Sequence, residues 1–117
     1  MTYVLVWEFQ IKQGLEEAFE HQYGEDGIWS QFFRAGQGYQ GTQLLKDSQV
    51  SGRYMTIDYW SSSDHYENFR QQYKEEYTSI DKTCESLTEF ERAVGTFFML
   101  GSVGAPESAR ASAKAGG

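Results

Sequence analysis

The chain has a single cysteine, a single proline and two histidines among 117 residues. Cys84 alone cannot close an internal disulfide, and no Cys/His cluster has the spacing that holds zinc. A reducing cytoplasm suits such a chain. Basic residues are scarce too: ten Lys and Arg against seventeen Asp and Glu leave a net charge of -7. That balance repels phosphate backbones and anionic lipid heads. Neither nucleic acid nor a membrane surface is an expected partner. Long apolar runs are also missing. The first residues carry no basic segment, and Glu8 interrupts the apolar stretch from Tyr3, so neither a signal peptide nor a membrane span is expected. No phosphate loop is present, since "AGQGYQG" lacks the lysine such loops use and the dinucleotide fingerprint is not met.

Rings are what the chain has in quantity. Eight Tyr, eight Phe and three Trp make it 16% aromatic, which predicts a ring-rich core or a ring-lined cavity. A chain of this length forms one domain and buries roughly two thirds of its unfolded surface.

Hydrophobic spacing sets out the elements. Tyr3 to Ile11 alternates as a strand whose odd positions are all apolar, while its even positions run Val4, Val6, Glu8, Gln10. Leu15, Ala18 and Phe19 follow helical spacing, "YGEDG" breaks it, and Ile28, Trp29, Phe32 and Phe33 resume it, giving two short helices. Asp26 is expected to cap the second, Arg34 to suit its C-terminal end, and Gly36 to close it in a left-handed conformation. Tyr39 to Lys46 and Arg53 to Trp60 read as an antiparallel hairpin about the polar turn "DSQVSG". "SSSD" then caps a long amphipathic helix carrying Tyr66, Phe69, Tyr73, Tyr77, Ile80, Cys84 and Leu87, interrupted near its end. Thr88 with Glu91 has capping-box spacing, so a short turn should precede a last strand from Ala93 to Leu100. Beyond Gly101 the composition cannot offset its own ordering entropy. Residues 1–101 are therefore read as the domain and 102–117 as a low-complexity tail.

This β-α-β-β-α-β order predicts an α+β, ferredoxin-like fold with a four-stranded antiparallel sheet. Helices cover one face of such a sheet. The other face is also apolar, over more area than a monomer tolerates in water. A second copy packed face to face resolves this as a homodimer, with a small-molecule cavity between helices and sheets.

Polar groups inside the strands are the candidates for chemistry. Alternation puts Tyr54, Thr56, Asp58 and Trp60 on one face of the third strand and Met55, Ile57 and Tyr59 on the other. The latter set suits the helix side, so Asp58 is expected to face the space between subunits, beside Glu8 of the first strand. Two neighbouring carboxylates in an apolar cavity give a base usable near neutral pH. The competing reading pairs Asp58 or Glu8 with Arg53, Lys12 or Arg92, or with a tyrosine hydroxyl, to fix strand register. His65, in the first turn of the long helix, is a third candidate proton carrier. Trp60, Tyr54, Trp29 and Phe33 are the rings expected against a small apolar or aromatic ligand, although the spacing of Trp29 and Phe33 equally suits plain core. Cys84 sits on the apolar stripe and should be a buried, inert thiol.

Three stretches, "YVLVWEFQIKQG", "GYQGTQLLKD" and "GRYMTIDYWSSSDHYENF", resemble the antibiotic biosynthesis monooxygenase (ABM) domain family of dimeric α+β barrels. The resemblance spans residues 2 to 100. It implies a homodimer and cofactor-independent oxygenation of an aromatic or quinol-type molecule, in which a base takes a proton before oxygen reacts. Non-catalytic small-molecule binding, or a stress-associated dimeric barrel, is the alternative. Trp60 matches a recurrent tryptophan position of the family. Haem-degrading members use an asparagine on the first strand with a tryptophan and a histidine on the last long helix. Here Trp7 and Glu8 stand near the asparagine position, Phe69 stands near the tryptophan position, and "EEYTSID" has no histidine, so that activity is not implied.

Overall fold

The computed structural model describes residues 1–102. Its elements are β1 (Tyr3–Ile11), α1 (Glu16–Tyr23), α2 (Ile28–Phe33), β2 (Tyr39–Lys46), β3 (Arg53–Trp60), α3 (Ser63–Gln72), α4 (Lys74–Cys84) and β4 (Thr88–Phe98). The strands form one antiparallel sheet in the order β2-β3-β1-β4. That is the expected ferredoxin-like α+β arrangement. Apart from Ser102, the expected low-complexity tail lies outside the described residues.

Several local expectations change. The long helix breaks in its middle, at Tyr73 (φ -114°, ψ 35°), rather than near its end. The bend lets Phe69 and Tyr73 both close on Phe32, at ring separations of 4.8 and 6.1 Å. The N-cap of α2 is Gly27, not Asp26. A Cβ there would lie 2.1 Å from the Gln22 carbonyl oxygen, so the chain is too tight for a side chain. Asp26 instead pairs with Arg34 at 3.6 Å. Gly36 is not left-handed; Gly38 is, at φ 91°. At Gly36 the constraint is space, since a Cβ would meet Phe69 at 2.6 Å and Trp60 at 2.8 Å. Thr88 and Glu91 form no capping box: β4 already begins at Thr88, because Ile11 pairs with Thr88 and Phe9 with Glu91.

The ladders decide which side chains share a face. Phe9 lies opposite Tyr54, Trp7 opposite Thr56, and Leu5 opposite Asp58. On β2, Thr42 and Leu44 face Asp58 and Thr56. This is the helix side: Leu5, Phe9, Ile11, Tyr54 and Trp60 pack with Phe19, Tyr23, Trp29, Phe33, Tyr66 and Phe69 in one core. The expected facing of β3 is therefore reversed, and Met55, Ile57 and Tyr59 look away from the helices. The all-apolar odd set of β1 is what the helices cover, and the register ties the even residues of β3 to the same side. Phe19 and Tyr23 stack at 4.2 Å, with Phe9 edge-on to Tyr23 at 5.1 Å. Each fully buried ring contributes on the order of 2–3 kcal/mol of transfer free energy.

The opposite face presents Val4, Val6, Met55, Ile57, Tyr59 and Phe97. Phe97 and Phe90 are half exposed, each at 50%. In the middle of this grease Glu8 is clamped by Arg53 (2.8 Å) and by Arg92 Nε (3.0 Å). Among the described residues no helix is long and apolar enough to cross a membrane.

Candidate functional site

Between the helices and the covered face of the sheet lies a cavity walled by Trp7, Phe9, Tyr23, Trp29, Phe33 and Tyr77. Its polar lining is Thr42, Thr56, Asp58, Asp81 and Glu91. Strand alternation aims Trp7, Phe9, Thr56 and Asp58 at the helices, and the i, i+4 spacing on α4 puts Tyr77 and Asp81 on one helical face. The cavity lies between helices and sheet, as expected, but Asp58 reaches it from the helix-covered face rather than facing the space between subunits.

Asp58 is the only strongly buried carboxylate of the lining, 9% exposed. One of its oxygens, Oδ1, accepts a 2.6 Å hydrogen bond from the Thr42 hydroxyl. Thr42 in turn lies 2.6 Å from the Tyr39 hydroxyl, which completes a short hydroxyl chain. No cation pairs with Asp58 among the described residues. Burial pushes its carboxyl up to about 6, and the Thr42 bond pulls partly in the other direction. A carboxylate with that value, in a wall of rings, is a proton acceptor near neutrality.

Glu8 does not join it. Glu8 lies opposite Met55, on the far face of the sheet, and hydrogen bonds from Arg53 and then Arg92 hold its carboxyl below the usual range. The ion pairing expected as the competing reading is what Glu8 does and what Asp58 lacks. His65 also stays outside. It lies in the first turn of α3, where Ser62 Oγ accepts from its backbone N–H at 3.1 Å and Ser61 Oγ lies 2.6 Å from Nδ1.

Of the four rings expected at the ligand, Trp29 and Phe33 line the cavity. Trp60 and Tyr54 do not; at 0% and 1% exposure they are wedged into the core. Trp60 packs on Phe69 at 5.2 Å and Tyr39 at 5.3 Å, while the Tyr54 hydroxyl donates to the Glu20 carboxylate. Cys84 is buried, as expected, and burial raises its thiol further from ionisation. Sequence reasoning missed Thr42, Tyr77 and Asp81. The last two were legible from helical spacing. Thr42 was not, because an irregularity between Tyr39 and Gly41 sets its register against β3.

The cavity volume is about 50 Å3, or about 450 Å3 when all atom-free space up to its open mouth is counted. An apolar cavity of roughly 150 Å3 accepts benzene. At about 50 Å3 the cavity as it stands suits water rather than a ring. Trp29, in the cavity wall, has a buried indole N–H that makes no well-formed hydrogen bond among the described residues.

The sequence matches the family model described as "Antibiotic biosynthesis monooxygenase" over residues 2–80. No protein of curated function matches it by sequence. Its fold is similar to that of SnoaB, a cofactor-independent oxygenase from Streptomyces nogalater, with 18% identity, a TM-score of 0.72, and 87% of this chain and 96% of that one covered. A NIPSNAP family protein from Agrobacterium tumefaciens is similar at 15% identity and a TM-score of 0.62, covering 91% of this chain and 98% of that one. MhuD, whose structure holds two manganese protoporphyrin IX per active site, is similar at 14% identity and a TM-score of 0.66, covering 88% and 99%. Proteins so differently described share the fold, so the fold by itself carries no chemistry.

Proposed function

The chain belongs to the antibiotic biosynthesis monooxygenase family, and from that premise we propose that it is a cofactor-independent monooxygenase of a small phenol or quinol. The observation that carries this reading is Asp58, a buried carboxylate with no cation paired to it among the described residues, in a ring-walled cavity.

Asp58 takes the phenolic proton, and the resulting electron-rich ring reacts with dioxygen at an open ring carbon. A C–O bond forms there and the O–O bond breaks. One oxygen stays as the new carbonyl, and the other leaves as water with the phenolic and ring hydrogens. Four electrons pass from the substrate to dioxygen, so a phenol becomes a quinone and no external reductant is needed. The rings exclude water.

The outer sheet face supports a second part of the proposal. Two copies pack with Val6, Ile57 and Phe97 against their counterparts, in a two-fold interface that also covers the Glu8 ion pairs.

An oxygen electrode tests the activity. With a naphthol-type substrate, uptake should match quinone formation one to one without peroxide, and Asp58→Asn should lower it at least about tenfold. Unchanged uptake removes Asp58 from the mechanism. The small volume favours a second reading, a stress-associated dimeric barrel whose interior is filled by its own rings. Failure of any small phenol to bind would support it.

A further inference from the structure

Charge is distributed unevenly across the sheet. On the outer face the carboxylate of Glu8 has two arginines, Arg53 and Arg92. On the cavity side three carboxylates, Asp58, Asp81 and Glu91, have none among the described residues. Among the described residues no Lys, Arg or His lines the cavity. Arg70 stacks on the Tyr77 ring at 3.7 Å and donates to the Tyr66 hydroxyl, outside the lining.

A buried carboxylate without a counter-ion is unfavourable unless something supplies positive charge or a proton. Asp81, half-buried, and Glu91, exposed at the rim, add to the same field; partial desolvation and then the charge of Asp81 raise the Glu91 carboxyl. The three do not form a metal-binding group. The remaining walls are six aromatic rings, whose negative faces attract cations, most strongly where water is excluded. In the same wall the Trp29 indole N–H is buried and makes no well-formed hydrogen bond among the described residues, a donor that a ligand oxygen would satisfy.

We infer that the cavity selects a cationic aromatic ligand: a phenol or quinol bearing a positively charged amine, with its oxygen inside and its charge toward Asp81 and Glu91. This rests on the reading of the cavity as a binding site and narrows its substrate class. Negative potential at the mouth also speeds the approach of a cation and slows that of an anion.

The test compares three probes of one size by calorimetric titration of the full chain: 4-hydroxyphenyl-trimethylammonium, its neutral isostere 4-tert-butylphenol, and 4-hydroxybenzenesulfonate. The ammonium should bind at least about tenfold more tightly than the neutral isostere at low salt, and the sulfonate most weakly. In an Asp81→Asn, Glu91→Gln double variant, with unchanged circular dichroism, that preference should shrink at least about threefold. Equal binding of ammonium and isostere overturns the cation preference and leaves the cavity reading standing. Binding of none of the three overturns both.

Discussion

Glu8 and Asp58, the two carboxylates in the middle of β1 and β3, lie on opposite faces of one sheet. Leu5, not Glu8, stands across from Asp58, and Glu8 stands across from Met55. An odd separation along β1 puts Leu5 and Glu8 on different sides, so the register alone keeps the two acids apart. Their environments then diverge. Arginines fix Glu8 as an anion, whereas burial pushes Asp58 up to about 6.

The first prediction separates their roles. Asp58→Asn should abolish most oxygen uptake, while Glu8→Gln should leave kcat within about twofold, because Glu8 never reaches the cavity. For the unaltered protein, kcat/KM should rise with pH through about 6 and level off above it, as the free base is formed. A profile that is flat from pH 5 to 8 would exclude Asp58 as the base.

Stability should move the other way. The Asp58 carboxyl is raised in the folded state from an ordinary value of 3.8 to about 6, so the folded protein binds the proton more tightly than the unfolded chain. Its contribution is fully present below pH 4 and is lost as pH rises through 6. Asp58→Asn should therefore be more stable at pH 7, by roughly 3 kcal/mol at most, and equal near pH 3.5. Urea denaturation at the two pH values measures this.

Thr42 tunes that base. Thr42→Val removes the hydroxyl that stabilises the ionised carboxylate, so the rising limb of the pH profile should move up by about one unit, and Thr42→Ser should restore it. A profile that does not shift would reduce Thr42 to packing.

Phe97 tests the outer face. It is half exposed, so Phe97→Glu should leave the protomer folded and place a charge in the proposed interface. Sedimentation should show a dimer converted to monomer at micromolar concentration. Ligand binding should survive within about threefold, because Phe97 and the cavity lie on opposite sides of the sheet. A dimer that persists would place the interface elsewhere.

Much of the architecture was legible in the residues. The all-apolar odd positions of β1, the hairpin about Asp47 to Gly52 and the ring-bearing helices follow from period and turn chemistry. Side-chain contacts at single positions were less so. Gly36 reads as a helix stop, yet its role is to let Phe69 and Trp60 approach. Tyr73 reads as one more apolar residue of a continuous helix, yet the helix breaks there so that rings close around Phe32.

The sequence by itself determined the element order, the antiparallel sheet and the excess of apolar surface on both its sides, because local spacing encodes period and period encodes a face. Only the tertiary structure decided which face of β3 meets the helices, and so which carboxylate enters the cavity. Both faces of that strand are mixed, so no local preference settles the choice. It is settled by pairing with β1, a contact between residues some fifty positions apart.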